Sequence, residues 1–380
     1  FDQAPTRLFL DARSTAGWRE KGFHSVTESA GSGPENASVM AWFLEAKRRS
    51  PVPEGQYESE ATDLTCAADA GEAQKFLAKH PGRGMPFGFP ALTEDEAATL
   101  QAWLAQGAHG PAADEQEALV SPSPAGAAEI AKWESFLNGE DPKTAMTARY
   151  LYEHFFLAHL RFAETGENAF YRLVRSSTPS GESLAPIATV RPYDDPGVER
   201  VYYRFEKVHS TIMLKTHMVV ELDDRRLARY RELFIEPDWL EAPHRMPYDD
   251  RDSANPFLVY AQIPPRSRYQ FLLDHSEYFI LTFMRGPVCK GQIALNVIND
   301  HFWVMFVDPD ADRIVQNPEF LIGQEENLRL PTERGSNMPV YKAFSDAYRK
   351  RYKAFYEAKK AFYLEKLPEG PSLDAIWRGN

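Results

Sequence analysis

Residues 80–90 read His80-Pro81-Gly82-Arg83-Gly84-Met85-Pro86-Phe87-Gly88-Phe89-Pro90. A helix is predicted to follow at residues 92–107, because Thr93 and Glu96 form a capping box and Gly107 is a typical stop. Proline and glycine around Met85 hold the backbone open, and a thioether is a soft ligand suited to haem iron. The segment therefore predicts one half of a haem site, with Met85 as the axial ligand of the iron.

The other half of such a site is not found in the chain. Covalent attachment of haem c needs a C-x-x-C-H motif, and the two cysteines of the sequence are Cys66 and Cys289. We expect the cofactor to be haem c, with its attachment motif outside this chain. His80 and His24 are alternative ligands, and a second interpretation of Met85 is that its side chain fills an apolar gap.

Length and charge limit the possible functions. The chain has 380 residues, which predicts two domains, and its net charge of -12 argues against a nucleic-acid partner. The apolar run Tyr278–Met284 is shorter than the roughly 18 residues that a membrane span needs. We therefore expect small or apolar partners and no transmembrane helix.

The first domain is predicted to be helical. Residues 38–49 and 72–79 have helical spacing of apolar side chains, so residues 1–108 are interpreted as an incomplete cytochrome-c-like region. Residues 109–126 are small and polar and contain Ser121-Pro122-Ser123-Pro124, a composition typical of a linker.

Residues 127–380 combine helical and strand-like patterns, which makes the predicted fold class a helix-rich α+β protein. The helix at residues 143–162 is apolar nearly all round and should be buried. The other predicted elements are helices at 127–137 and 266–284, a loop at 176–197, strands at 201–205, 211–214 and 217–222, and a hairpin at 293–307.

The predicted last helix, residues 341–367, carries an aromatic stripe on one face and Lys and Arg residues on the others. A basic, aromatic amphipathic helix can lie on an anionic membrane surface. The alternative is an ordinary docked helix with a solvated basic face. Peripheral membrane contact is thus one of two interpretations of this element.

Read from end to end, the chain resembles the fatty acid cis/trans isomerases, a bacterial family of haem-containing periplasmic proteins. The resemblance covers most of the sequence. The segments that carry it are Pro5–Phe9 with Trp18, Gly84–Gly88, Ala148–His154, Leu157–Leu160, Arg191–Val198, Lys215–Met218, Ala254–Phe257, Ile263–Tyr269 and Gly286–Ile298.

This resemblance implies an enzyme that isomerises unsaturated acyl chains of membrane phospholipids from cis to trans, with haem, as a response to membrane stress. It also implies a periplasmic location. Family members carry C-x-x-C-H near the start of the mature protein and continue beyond the equivalent of Asn380. We therefore expect this chain to be an interior fragment, with the haem motif and a signal peptide outside it.

Cys289 offers a route to the same product without haem, because a thiol adds reversibly to an alkene. Arg285 and Lys290 flank it and could favour the thiolate or contact a lipid phosphate. Buried free cysteine is also ordinary packing, and flanking cations are often only solvated. Cys289 and Arg285 therefore remain candidate catalytic residues, and in a hydrolase His217 or His301 could serve as the base.

Other readings of the sequence remain open. The chain could be an electron-transfer cytochrome whose α+β part docks a redox partner, or a lipid-binding protein without catalysis. His154 and His159 are five residues apart on the predicted helix and face different sides, so we expect hydrogen-bonded structural residues there. Candidate lining for an acyl chain comes from four aromatic residues that could equally be core: Phe155, Phe156, Phe279 and Trp303.

Overall fold

The computed structural model describes residues 15–20, 25–28, 38–51, 69–86, 89–189, 191–208, 219–249, 252–285, 305–328 and 346–379. Backbone contacts divide the chain into two compact units. One holds the described residues from 15 to 116, and the other holds residues 117–284 with the described residues after 305. The predicted linker, residues 109–126, contains an exposed helix at Ala113–Val120. The domain bounds 1–108 and 127–380 stay predictions.

The described helices of the first unit are Thr15–Glu20 (α1), Val39–Arg49 (α2), Ala70–Lys79 (α3) and Glu94–Ala105 (α4), with Ala113–Val120 (α5) after them. Helices α2, α3 and α4 begin at side-chain caps. Ser38 and Asp69 each accept a hydrogen bond from a backbone N–H in the first turn. Thr93 and Glu96 form the predicted capping box of α4. The cytochrome-c-like arrangement of this unit stays a prediction.

The second unit contains helices around a small sheet, which confirms the predicted helix-rich α+β class. Its helices are Pro124–Leu137 (α6), Pro142–Phe155 (α7), Asp224–Tyr230 (α8), Pro256–Val259 (α9), Pro265–Asp274 (α10), Ser276–Arg285 (α11), Pro318–Gly323 (α12) and Asp346–Lys366 (α13). Helix α8 continues into a wider π-helical turn at Arg231–Ile235.

The sheet has four described strands in the order β3-β2-β1-β4. Their bounds are His159–Phe162 (β1), Tyr171–Ser176 (β2), Tyr202–Lys207 (β3) and Val219–Leu222 (β4). β2 pairs antiparallel with both β1 and β3, whereas β1 and β4 run parallel. The predicted strands at 201–205 and 217–222 correspond to β3 and to the described part of β4.

The core of this unit is rich in aromatic side chains. Helix α7 lies at its centre, and Tyr150 contacts the rings of Phe234, Tyr260 and Phe271 at centroid distances of 5.3, 4.9 and 5.1 Å. Such tilted and edge-on contacts are the favoured geometries for aromatic pairs. The prediction that the segment beginning at residue 143 is buried is confirmed for α7.

The predicted length of that helix was wrong. Helix α7 ends at Phe155, and residues 159–162 form strand β1. Leu160 pairs with Val220 of β4, which is distant in sequence. The apolar run continued through the break, so helical periodicity could not show where strand pairing took over.

One helix predicted at residues 266–284 is in fact two helices, α10 and α11, separated at His275. The backbone of His275 leaves helical geometry, with φ -121° and ψ 20°. Its ring is hydrogen-bonded by Arg226 and Tyr230 from another part of the chain. These tertiary contacts account for the interruption.

Several predicted elements lie outside the described residues. These are the strand at 211–214 and all but residues 305–307 of the hairpin at 293–307. The described part of the final basic helix runs from Asp346 to Lys366. No helix in the described ranges is long and apolar enough to cross a bilayer.

Candidate functional site

The predicted haem-ligand loop is fixed to helix α2. After α3, a single 3-10 turn at Pro81–Arg83 leads to Gly84, which packs directly on the α2 backbone. A Cβ atom on Gly84 would collide with backbone atoms of Lys47 and Phe43. The N–H of Met85 donates to the carbonyl oxygen of Phe43 at 2.9 Å. The backbone position of Met85 is therefore set by contacts with the helix.

Met85 is 48% exposed, so its side chain is in contact with solvent. That exposure does not suit the alternative in which Met85 only fills an apolar gap. The ring of His80 contacts that of Phe76 in a tilted arrangement, at a centroid distance of 5.2 Å. His24, the third candidate ligand, lies outside the described residues.

A cavity of about 720 Å³ lies among helices α2, α3 and α4 of the same unit. Its described lining includes Trp42, Glu45 and Arg49 of α2 and Leu77 of α3. Phe43 and Lys47, which hold the Met85 loop, lie on another face of α2, as the helical period of 3.6 residues requires. Met85 is not among the described residues that line this cavity. The loop and the cavity are thus separate features.

The other residues proposed from sequence for catalysis cannot be positioned. Arg285 is the last residue of α11, and its side chain is not described. Six further residues named in the sequence analysis lie outside the described ranges: Cys66, His217, Cys289, Lys290, His301 and Trp303. Among the residues that are described, no group of three or more His, Cys, Asp or Glu side chains could hold a metal ion.

His154 and His159 do not share a helix. His154 lies on α7 and its Nδ1 donates to the carbonyl oxygen of Tyr150 at 2.7 Å, whereas His159 begins strand β1. Burial lowers the pKa of His154 to about 4, and the hydrogen bond to Tyr150 only partly offsets this effect. His154 is therefore a neutral hydrogen-bonded residue of the aromatic core, in agreement with the structural role expected for it.

Helix α7 also holds a buried ion pair that was not predicted from the sequence. Arg149 is 3% exposed, and its Nε donates to Glu153 at 2.8 Å. Its Nη1 donates to the carbonyl oxygen of Met246 at 2.9 Å, and the ring of Tyr248 lies 3.8 Å from its guanidinium carbon. These contacts tie α7 to the 246–248 segment beside a cavity of about 200 Å³. The i, i+4 spacing of Arg149 and Glu153 was the available sequence signal.

A second cluster that the sequence did not reveal joins α8 to the end of α10. His275 is 5% exposed, and its ring nitrogens lie 2.9 Å from Arg226 Nη1 and 2.9 Å from the Tyr230 hydroxyl. Burial, followed by the positive charge of Arg226, holds the pKa of His275 well below its usual value. A neutral imidazole can accept from Arg226, whereas a protonated one cannot. The cluster therefore combines the positive charge of Arg226 with the neutral, buried imidazole of His275.

The family model described as fatty acid cis/trans isomerase matches residues 3–380. No curated protein and no solved structure shows significant similarity to the chain.

Proposed function

Since the chain belongs to the fatty acid cis/trans isomerase family, we propose that it acts on acyl chains of membrane phospholipids and uses haem as its cofactor. Fatty acid cis/trans isomerisation is the activity that the family implies. The phospholipid form of the substrate, the haem, the periplasmic location and a role in membrane stress are parts of the proposal.

The reaction requires a way to weaken the double bond. Rotation about a peptide bond, which has only partial double-bond character, already has a barrier of roughly 18 to 20 kcal/mol. Rotation about an isolated C=C bond is harder, so its π bond must be broken transiently. Haem iron would supply a centre that withdraws electron density, and methionine ligation raises its reduction potential.

Met85 is the residue of this chain that would hold the iron. Three observations support this role: a thioether side chain, 48% exposure of that side chain, and a backbone hydrogen bond that fixes its loop to α2. The residues fit one side of a haem site, because Met85 is exposed and its backbone is held against α2 by the hydrogen bond to Phe43. The sequence has no C-x-x-C-H motif to supply the other side. The attachment cysteines would then come from polypeptide outside this chain.

Helix α13 is the surface that would bring the protein to a bilayer. Phe362 packs on Phe320 of α12 at 4.7 Å and the Tyr363 hydroxyl donates to Asp312 at 2.7 Å, so the C-terminal part of the helix is docked. Nearer the start of the helix, Tyr352 and Tyr356 are 59% and 58% exposed among lysine and arginine side chains. The helix carries seven basic and three acidic residues in a chain of net charge -12. Interfacial aromatic rings and local positive charge favour contact with anionic lipid.

The physiological role follows from acyl-chain packing. Trans chains are straighter than bent cis chains and pack more tightly, so isomerisation stiffens a membrane without new lipid synthesis. A periplasmic enzyme that reaches the lipid surface could therefore counter the fluidising effect of solvent or heat.

The test is to incubate the intact, haem-loaded protein with vesicles of a cis-monounsaturated phospholipid and to measure trans acyl chains by gas chromatography. We expect trans product with the wild type and with Met305→Ala, a control methionine that is 75% exposed. Met85→Ala should lose the product and alter the haem absorption spectrum. Absence of trans product with the loaded wild type would overturn the proposal.

The same assay separates the alternatives. Loss of product in Cys289→Ser with no effect of Met85→Ala would favour the haem-free thiol route. Reversible haem reduction without any change in acyl geometry would favour an electron-transfer protein.

A further inference from the structure

A cavity of about 430 Å³ lies in the second unit, and its described lining is three arginines, one aspartate and one histidine: Arg225, Arg226, Arg229, Asp274 and His275. The arginines all come from helix α8, and the other two residues come from the end of α10. Such a volume is within the usual range of small-ligand sites. Positive charge dominates among these described lining residues.

Two of the three arginines face carboxylates. Arg229 is paired twice, through Nε to Asp274 at 2.8 Å and through Nη1 to Glu232 at 2.7 Å. Arg225 is 89% exposed at its side chain and lies 4.0 Å from Asp223. The neighbouring Asp224 is bound by Lys132 of α6. The local acidic groups are therefore already engaged with other cations.

Arg226 is the exception. Within the described ranges no carboxylate oxygen lies within 4.0 Å of its guanidinium, and its Nη1 meets His275 Nδ1 at 2.9 Å. A partly buried guanidinium whose described side-chain partner is a neutral ring has N–H donors that an anion in the cavity can engage.

His275 makes this arrangement rigid. It is 5% exposed, and its ring packs against Phe155 and Phe271, each at a centroid distance of 4.9 Å. The Tyr230 hydroxyl fixes the other ring nitrogen at 2.9 Å. Arg226 is thus held by a side chain that is itself locked into the aromatic core.

We propose that this cavity binds the oxyanion of the lipid substrate, with Arg226 as the principal contact and Arg225 at the rim. Guanidinium groups recognise both carboxylate and phosphate through paired N–H donors. The anion is therefore either the carboxylate of a free fatty acid or the phosphate of a phospholipid. The inference rests on the proposed function, because that function makes a lipid the ligand.

The test measures binding to the full chain by titration calorimetry and needs no turnover. The probes are decanoate, decanol as the uncharged analogue with the same chain, and dihexanoyl phosphatidate. Arg226→Gln should weaken binding of the matching anion by about tenfold or more, as expected for loss of a charge-assisted contact. Decanol binding should not change. Arg313→Gln, a surface arginine bonded to Gln316, is the matched control.

The two lipid sources give different outcomes. A selective loss for decanoate identifies a carboxylate site, and a selective loss for dihexanoyl phosphatidate identifies a phosphate site. Equal affinity of Arg226→Gln and the wild type for both anions overturns the proposal. Should Arg226→Gln lose its fold by circular dichroism, Arg225→Gln replaces it, and unchanged anion affinity there overturns the proposal equally. Anion binding without trans product would leave this site standing while refuting the proposed reaction.

Discussion

The backbone N–H of Met85 lies 2.9 Å from the carbonyl oxygen of Phe43 and donates to it. This hydrogen bond joins the Met85 loop to the middle of helix α2. It is possible only because Gly84 has no side chain, since a Cβ there would meet the backbone of Lys47 and of Phe43 itself. The position of the candidate haem ligand therefore depends on the residue before it.

Gly84→Ala should destabilise the first unit. The new methyl group has to displace backbone, which is less adaptable than a side chain, so we expect a loss of about 1 to 3 kcal/mol in the free energy of unfolding. Urea denaturation measures the loss. Gly110→Ala is the control, because nothing lies within 4 Å of a Cβ at that position. Equal stability of the two variants would contradict the close approach of the loop to α2.

The buried carboxylate of Glu134 gives a second prediction. Glu134 is 2% exposed and accepts hydrogen bonds from Arg204 Nε and the Phe205 N–H, both at 3.0 Å. Glu134→Ala leaves the largely buried Arg204 without its partner and should cost about 3 to 5 kcal/mol of unfolding free energy.

The control for that variant is an exposed ion pair on the same unit. Glu140 and Arg200 lie 3.0 Å apart, with side chains 80% and 47% exposed. Glu140→Ala should change the unfolding free energy by less than about 1 kcal/mol, because solvent screens such pairs. If urea denaturation gives a similar loss of unfolding free energy for Glu134→Ala and Glu140→Ala, then burial does not increase the contribution of Glu134 to stability.

Local sequence signals predicted α2 and α3 from apolar spacing and α4 from its Thr93–Glu96 capping box, whereas α1 was not predicted. Ser38, Asp69 and the Thr93–Glu96 pair each bind a backbone N–H within three residues. No distant contact is needed to recognise such a start. The same reasoning located the Met85 loop, which directly precedes α4.

Features that depend on distant residues were not predictable in this way. Strand β1 is held by β4, and Leu160 pairs with Val220 some 60 positions later. The break between α10 and α11 depends on Arg226, which is 49 residues from His275. The arginine-lined cavity depends on the same contact between Arg226 and His275. The sequence contains these residues, but it does not indicate that they lie next to each other in the fold. Tertiary contacts of this kind override local propensity.

Protonation of His154 predicts how stability depends on pH. Burial lowers its folded-state pKa to about 4 from an ordinary value of 6.5. The unfolded chain therefore binds more protons than the folded protein between these values, and the unfolding free energy should fall as the pH falls through this window. The expected contribution is about 3 kcal/mol. It is fully present above pH 6.5 and is lost near pH 4.

Urea denaturation at a series of pH values between 4 and 7 measures this contribution. His154→Gln removes the titrating group, so its stability should depend less steeply on pH than that of the wild type. His275, whose pKa is also lowered by burial, accounts for part of the slope that remains. If the unfolding free energy of the variant and of the wild type changes equally with pH, burial does not lower the pKa of His154.

The exposed face of α13 predicts binding to anionic lipid. The double variant Tyr352→Ser and Tyr356→Ser removes the two exposed rings but keeps every basic residue of the helix. Loss of two interfacial aromatic side chains should weaken partition into mixed phosphatidylcholine and phosphatidylglycerol vesicles by roughly tenfold. Leu373→Ser, at a residue that is 81% exposed outside this helix, should bind as the wild type does. Vesicle sedimentation measures all three proteins. Equal binding of the double variant and the wild type would mean that α13 does not enter the interface, and equal binding to vesicles of phosphatidylcholine alone would mean that its positive charge is not used.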